Sequence, residues 1–449
     1  MSYRRSALVW AGVLAMSCGD STGDETGGGE GNGSSGAPAT GTSDPDPSAT
    51  SNGSATGSGG GSTSSPGTTA ADGTDTDTPD PTGSGINLDL GGIPDAPNFC
   101  MEGNGEVEFS YIWVANSTQS TISKINTRTQ IEEGRYYTRP DIAGSPSRTS
   151  VSLSGNVAVA NRNGGLAKFY VNEEDCTDAN GNGSIQTSSG PGDILAWGSE
   201  ECLAWYTPMV YSSQRPVAWT QGEWDQSACA NVNEKVWTAG ANGSAIEVLL
   251  VDGDTGVVEE TIPIPGVNAN FYGIYGAAVD SEGNFWGSQL GGGTLVNVDR
   301  VSLDIRTWPT PAGGYGMTVD QDGYVWTCSS QAGRFDPVAE TWMQASVGGS
   351  GGCMADGGNI LWMASNPLVG INRQTLAVEY SIPLPNYVHG VSVDVDGYVW
   401  GVSMSTAAYR VDPVTGLFDT VNGLVGPYTY SDMTGFALSN VGGGGAPSG

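Results

Sequence analysis

Histidine occurs once in this chain, and lysine and arginine together only 16 times against 48 acidic residues. One histidine excludes any metal centre built on several imidazoles. The formal net charge of −32 repels phosphate backbones and excludes nucleic-acid binding. Charged residues make up only 14% of the chain, well under the roughly 25% of an average domain. After the N-terminus no apolar run approaches the ~18 residues that a membrane helix needs. Cys-x-x-Cys pairs, Gly-x-Ser-x-Gly elbows, phosphate loops and His-Glu-x-x-His are all missing. Structural zinc and the usual serine-hydrolase and metalloprotease chemistries therefore have no residues to use.

What is abundant points elsewhere. Glycine contributes 70 of the 449 residues and tryptophan 13, the composition of a β-rich exported protein. Arg4 and Arg5 precede an apolar stretch at 7–15, which ends Ala15-Met16-Ser17-Cys18. That is long enough for a signal peptide and too short to span a bilayer. A small residue before Cys resembles a lipobox, so residues 1–18 read as a lipoprotein signal peptide with Cys18 as the lipidated residue. Gly19 after the cysteine favours export to the outer membrane or cell surface. Residues 19–98 are Gly, Ser, Thr, Pro and Asp with almost no large apolar side chain, and cannot bury enough surface to offset ordering entropy. They read as a disordered tether with an end-to-end distance of roughly 45–55 Å. Removing the tether and the signal peptide leaves 36 acids against 14 basic residues, so the folded part is acidic in its own right.

Residues 99–449 repeat. The phrase Asp-x-(Asp/Glu)-Gly-x-apolar-Trp occurs at Asp280 to Trp286, Asp320 to Trp326 and Asp394 to Trp400, with a degenerate copy at Asp356 to Trp362. Weaker copies surround Trp113 and Trp237. The last four tryptophans stand 40, 36 and 38 residues apart. Gly between two short apolar runs accepts positive φ and marks a hairpin. A second phrase, apolar-(Asp/Asn)-x-x-Thr, follows most copies, as at Asn126, Asp252, Asn372 and Asp412. Four short strands per period of about 40 residues make a propeller blade. The fold expected is all-β: a seven-bladed β-propeller, its first blade starting at Tyr111 without an inner strand. A C-terminal strand at 436–440 would close the ring and leave no exposed edge.

The Gly-x-x-x-Asp-x-x-Gly-x-apolar-Trp phrases resemble those of virginiamycin B lyase-like propellers and the wider group of NHL- and lactonase-like secreted propellers. The resemblance is clear over residues 276–410. The local string Tyr387-Val388-His389-Gly390 is similar to the His-Gly turn of the lyases, which implies His389 as a general base. Those lyases hold Mg²⁺ between two histidines and glutamates that end Trp-Phe-Thr-Glu strands. Here the corresponding positions are Gln289, Ser329, Ser365 and Ser403, and no second histidine exists.

Apart from Cys18, six cysteines remain, an even number in an exported domain. The pairing expected is Cys176–Cys202, Cys328–Cys353 and, from what remains, Cys100–Cys229. The first would close an acidic insertion at about 172–202. Within it, Asp178, Asn180, Asn182 and Ser184 resemble the first half of a calcium loop, with Gly183 at the sharp turn and no glutamate at the twelfth position. A structural Ca²⁺ is the cofactor expected.

Residues preceding the inner strands line one mouth of the channel: Arg148, Arg215, Tyr275, Tyr315, Gly352, His389 and Thr434. This ring is the candidate ligand site. Tyr428, Tyr430 and Asp432 lie just before the expected closing strand and read first as packing that seals the ring, with contact to sugar or peptide faces as the alternative. The chain is thus expected to be a monomeric surface lipoprotein, held to the membrane by lipid, that binds a protein, peptide or glycan. The alternative is a metal-assisted lyase or hydrolase using His389.

Overall fold

The computed structural model describes residues 110–441, except 226, 229, 312, 313 and the side chain of Ala230. The signal peptide, the tether, Cys18 and Cys100 lie outside the described residues, and so does Cys229.

Seven antiparallel sheets follow one another around the ring. The first has three strands, Tyr111–Asn116, Thr121–Asn126 and Glu132–Tyr137. The other six have four each. Their innermost strands are Pro146–Val151, Ser213–Trp219, Gly276–Val279, Gly316–Val319, Cys353–Ala355 and Val388–Val393. The third blade is interrupted by a hairpin, Glu223–Asp225 with Ala230–Val232, between its first two members.

The repeated phrase is a turn that satisfies itself. In Asp280, Asp320 and Asp394, Oδ1 accepts the backbone N–H groups two and four residues on, at 2.9–3.1 Å. The intervening Gly283, Gly323 and Gly397 take φ of +78°, +82° and +83°, a region open mainly to glycine. The second oxygen accepts the indole N–H of Trp286, Trp326 or Trp400 at 2.7–2.8 Å. The tryptophan can then be buried without orphaning its donor. All three are at most 2% exposed. In the degenerate copy Asn359 replaces that glycine, Gly357 takes the positive φ instead, and the buried Trp362 indole N–H has no partner. The second phrase forms Asx turns: Asn126, Asp252, Asn372 and Asp412 accept backbone N–H groups two or three residues on.

Ring closure differs from the sequence expectation. Residues 436–440 are not a strand; Phe436–Val441 is a short α-helix. Gly435, at φ +82°, turns the chain, and Asp432 accepts N–H groups of Thr434, Gly435 and Leu438. An acid ahead of the first turn caps the four free N–H groups of a helix start. The closing segment is instead 427–433, which runs antiparallel to the first blade. Trp113 N–H donates to Met433 O at 2.8 Å, Tyr428 N–H donates to Ala115 O at 3.0 Å, and Asn116 bridges Pro427. Arg135 to Gly423 O and Gln130 to Asp419 add side-chain links across the same seam.

Two disulfides are formed as expected. Cys176–Cys202 closes the insertion of the second blade, and Cys328–Cys353 joins the fifth blade to the innermost strand of the sixth.

Candidate functional site

Each inner strand enters the channel from the same mouth, so residues at its start meet there. Arg148, Arg215, Tyr275, Tyr315 and His389 are brought together as expected. Thr434 is not among them. Its hydroxyl contacts Ser392 and Val393 O, at the far end of the seventh blade's inner strand. The turn into the helix carries it there. Gly352 sits within the ring; a Cβ there would crowd Tyr430.

Tyr430 holds the centre that Thr434 was expected to occupy. Its ring lies 5.8 Å from Tyr275, 5.0 Å from Tyr315 and 5.2 Å from His389. Tyr428 lies 4.7 Å from His389, and its hydroxyl bonds those of Tyr275 and Tyr315. Tyr387 donates to or accepts from His389 Nδ1 at 2.9 Å. Backbone alternation explains both arrivals: residues i and i+2 of extended chain share a face, so Tyr428 travels with Tyr430 and Tyr387 with His389. That spacing was readable in the sequence. Tyr272 and Arg162 had no such signal.

The arginines stack on these rings. The Arg148 guanidinium is 3.6 Å from the Tyr430 centroid and 5.4 Å from Tyr275. Arg215 lies 4.7 Å from Tyr272 and 4.8 Å from Tyr275. Arg162, half-buried, covers Tyr428 at 4.9 Å. Arg148 is fully buried, and its Nη2 donates to Tyr315 O at 2.8 Å. Its Nε and Nη1 find no acceptor, nor do Nε and Nη1 of Arg215, and Nε2 of His389 has no partner. No Asp or Glu among the described residues forms an ion pair with either arginine.

Electrostatics follow from burial. Desolvation, then the Arg148 charge, pushes His389 down to about 3, so its imidazole is neutral at physiological pH. Desolvation raises the phenols of Tyr275, Tyr428 and Tyr430, so they stay neutral too. The centre therefore carries two positive charges and no anion. The rim above is aromatic. Phe271, 72% exposed, meets Tyr272 edge-on at 4.9 Å, and Tyr272 meets Tyr275 at 5.6 Å. Asn270 and Phe271 both hold positive φ, unusual for side chains of their size.

The opposite end of the channel is closed. Leu438 and Val441 of the helix face Val217, Ala277, Met317 and Met354 around a cavity of about 30 Å³, room for a water or two.

The calcium candidates lie on an exposed turn of the insertion. Asp178 accepts N–H groups of Gly181, Asn182 and Gly183, while Glu201 accepts those of Ala179, Asn180 and Gln186. Asn180 and Asn182 bond Gln186, and Ser184 bonds Asn182. No group of three or more His, Cys, Asp or Glu able to hold a metal occurs among the described residues. The donor set for the lyase-type Mg²⁺ does not fit either: around His389 stand arginines and phenols, with no carboxylate.

No protein-family model matches the chain, and no curated protein sequence does. Solved structures similar in fold include a protein provisionally assigned as a 6-phosphogluconolactonase from Bacteroides fragilis, 12% identical, TM-score 0.49, covering 72% of this chain and 97% of that one. The dihydro-heme d1 dehydrogenase NirN, in complex with DHE, is 11% identical with TM-score 0.47, covering 76% of each. The Pan2 WD40 domain of Neurospora crassa is 11% identical with TM-score 0.45, covering 66% and 82%.

Proposed function

We propose that this chain is a surface lipoprotein, anchored through Cys18, whose propeller binds a protein, peptide or glycan at the tyrosine-lined mouth. The observation that carries this reading is the aromatic path from exposed Phe271 through Tyr272 to buried Tyr275. Tyrosines present flat apolar faces and a polar tip at low entropic cost, the chemistry of recognition surfaces. A backbone held at positive φ to keep a phenylalanine in solvent favours a role for that ring outside the fold. The test is a glycan and peptide array probed with the full chain and with Phe271→Ala and Tyr428→Ala. Each variant should weaken the bound ligand about tenfold or more; unchanged binding by both would remove the mouth as the site.

The lyase alternative has less to use. A general base should titrate near working pH, and His389 is held far below it. Ring opening of a streptogramin B depsipeptide by the wild type, lost in His389→Ala, would overturn the binding reading. A structural Ca²⁺ in the 178–184 loop belongs to the same proposal, and a melting temperature unmoved by EDTA would remove it.

A further inference from the structure

Four arginines are buried among the described residues: Arg135, Arg148, Arg215 and Arg373. Two of them obey the usual rule that a buried charge is paired. Arg135 forms a double hydrogen bond with Glu132 at 2.7 Å, and Arg373 meets Asp320 at 2.5 Å. Arg148 and Arg215 break the rule, side by side, around one ring, Tyr275. A third arginine, Arg162, stands at the rim above them, also without a carboxylate. This happens in a chain where acids outnumber basic residues three to one, 48 to 16. An acidic partner would be the commonest thing to find beside an arginine here. None is there.

Stacking on tyrosine offsets only part of the cost. A ring face attracts a cation through its quadrupole but carries no full negative charge, so a buried guanidinium held only by rings keeps part of its desolvation penalty. The cluster is also one-sided in hydrogen bonding. Two guanidinium groups leave Nε and Nη1 without an acceptor, and His389 Nε2 is without a partner beside them. When the Tyr387 hydroxyl donates to Nδ1, the imidazole proton sits on Nε2 and adds another donor. Guanidinium donors converge there, and among the described residues no carboxylate answers them.

We propose that the mouth is a receptor for a small acid: an oxyanion, carboxylate or phosphate, seated between Arg148 and Arg215, with the body that carries it lying against Tyr272, Tyr315 and Tyr428. Arg148 supplies the fixed charge, since its Nη2 is tied to Tyr315 O and its ring contacts leave it no other place. Arg215 closes from the side of Tyr272. Charge-assisted hydrogen bonds to an oxyanion satisfy the orphan donors in one step. The inference rests on the mouth being a binding site and adds what its ligand must carry.

The test is thermal melting and calorimetric titration of the purified full chain with inorganic phosphate, galacturonate and neutral galactose, at matched ionic strength. Phosphate or galacturonate should raise the melting temperature in a saturable way, as mass action on the folded state requires. Galactose should not. Phosphate alone acting places the charge in control; galacturonate alone acting adds the stacked body. Arg148→Met and Arg215→Met should each raise the dissociation constant about tenfold or more. If Arg148→Met does not fold, Arg215→Met, nearer the rim, reads the same pocket, as does titration of the wild type. A shift retained in the variants would place the anion elsewhere and overturn the proposal. So would no shift with either anion. Equal shifts with galactose and galacturonate would overturn it while leaving a neutral-ligand site at the mouth intact.

Discussion

The two ends of the channel are finished by the same stretch of chain with opposite chemistry. At one end the helix Phe436–Val441 places Leu438 and Val441 among valines, alanines and methionines. At the other, a few residues earlier, Tyr428 and Tyr430 lie among arginines that no carboxylate answers. The first end gains free energy by removing apolar surface from water. The second gives some away by burying charge. Apolar burial accounts for most of the helix end and does not account for the mouth, and that contrast is what the binding proposal builds on.

The contrast can be broken most forcefully at the helix. Leu438→Ala opens a cavity in a packed seam and should lower unfolding free energy by about 3 kcal/mol, read by denaturant melts. Acid separates the ends next, because they titrate with opposite sign. His389 in the folded chain binds a proton only near pH 3, the unfolded chain near 6.5. Protons therefore favour unfolding, and this contribution is lost as pH falls below 6.5, by about 2–3 kcal/mol at pH 4.5. His389→Gln should flatten that loss. Asp432 runs the other way: burial raises it to about 6, against the amide N–H groups that lower it. Folding then takes up a proton, and stability grows as pH falls from about 6 toward 4, by roughly 1–2 kcal/mol. Melts of Asp432→Asn across that range should lack the gain. At the mouth, Arg148→Met without ligand should leave stability unchanged or raise it by about 1–2 kcal/mol; a loss as large as that of Leu438→Ala would make Arg148 a structural residue. Phe271→Ala is the smallest, within about 0.5 kcal/mol of wild type, since its ring is mostly in solvent.

How much of this could be read from the chain depends on the range of the interaction involved. The Asp-to-Trp phrase spells out its own turn, since donor, acceptor and glycine lie within seven residues. Blade number followed from that periodicity, and the Cys176–Cys202 bridge from the insertion it closes. Ring closure did not, because segment 427–433 pairs with a strand more than 300 residues earlier and has the composition of a loop. The choice between strand and helix at 436–440 turned on Asp432 and Gly435, which act as a cap only once the preceding segment is fixed. At the mouth, Arg148, Arg215, Tyr275, Tyr315 and His389 were legible because each sits at the start of a repeat. Tyr430 reads from sequence chiefly as packing, with ligand contact as the alternative, and Arg162 and Tyr272 carry no signal, because their place is set by contacts across the ring. That two charges lack partners is a property of three-dimensional neighbourhoods.

Closing the ring with residues 427–433 also fixes when the mouth comes into being. Tyr428 and Tyr430 are made last, and the segment bearing them must find the first blade before any pocket exists. An unfinished or opened chain thus lacks the proposed site. If the mouth binds as proposed, occupancy and circular integrity become one equilibrium: a ligand against those tyrosines would also latch the first blade to the last and slow protease entry at a seam it never touches.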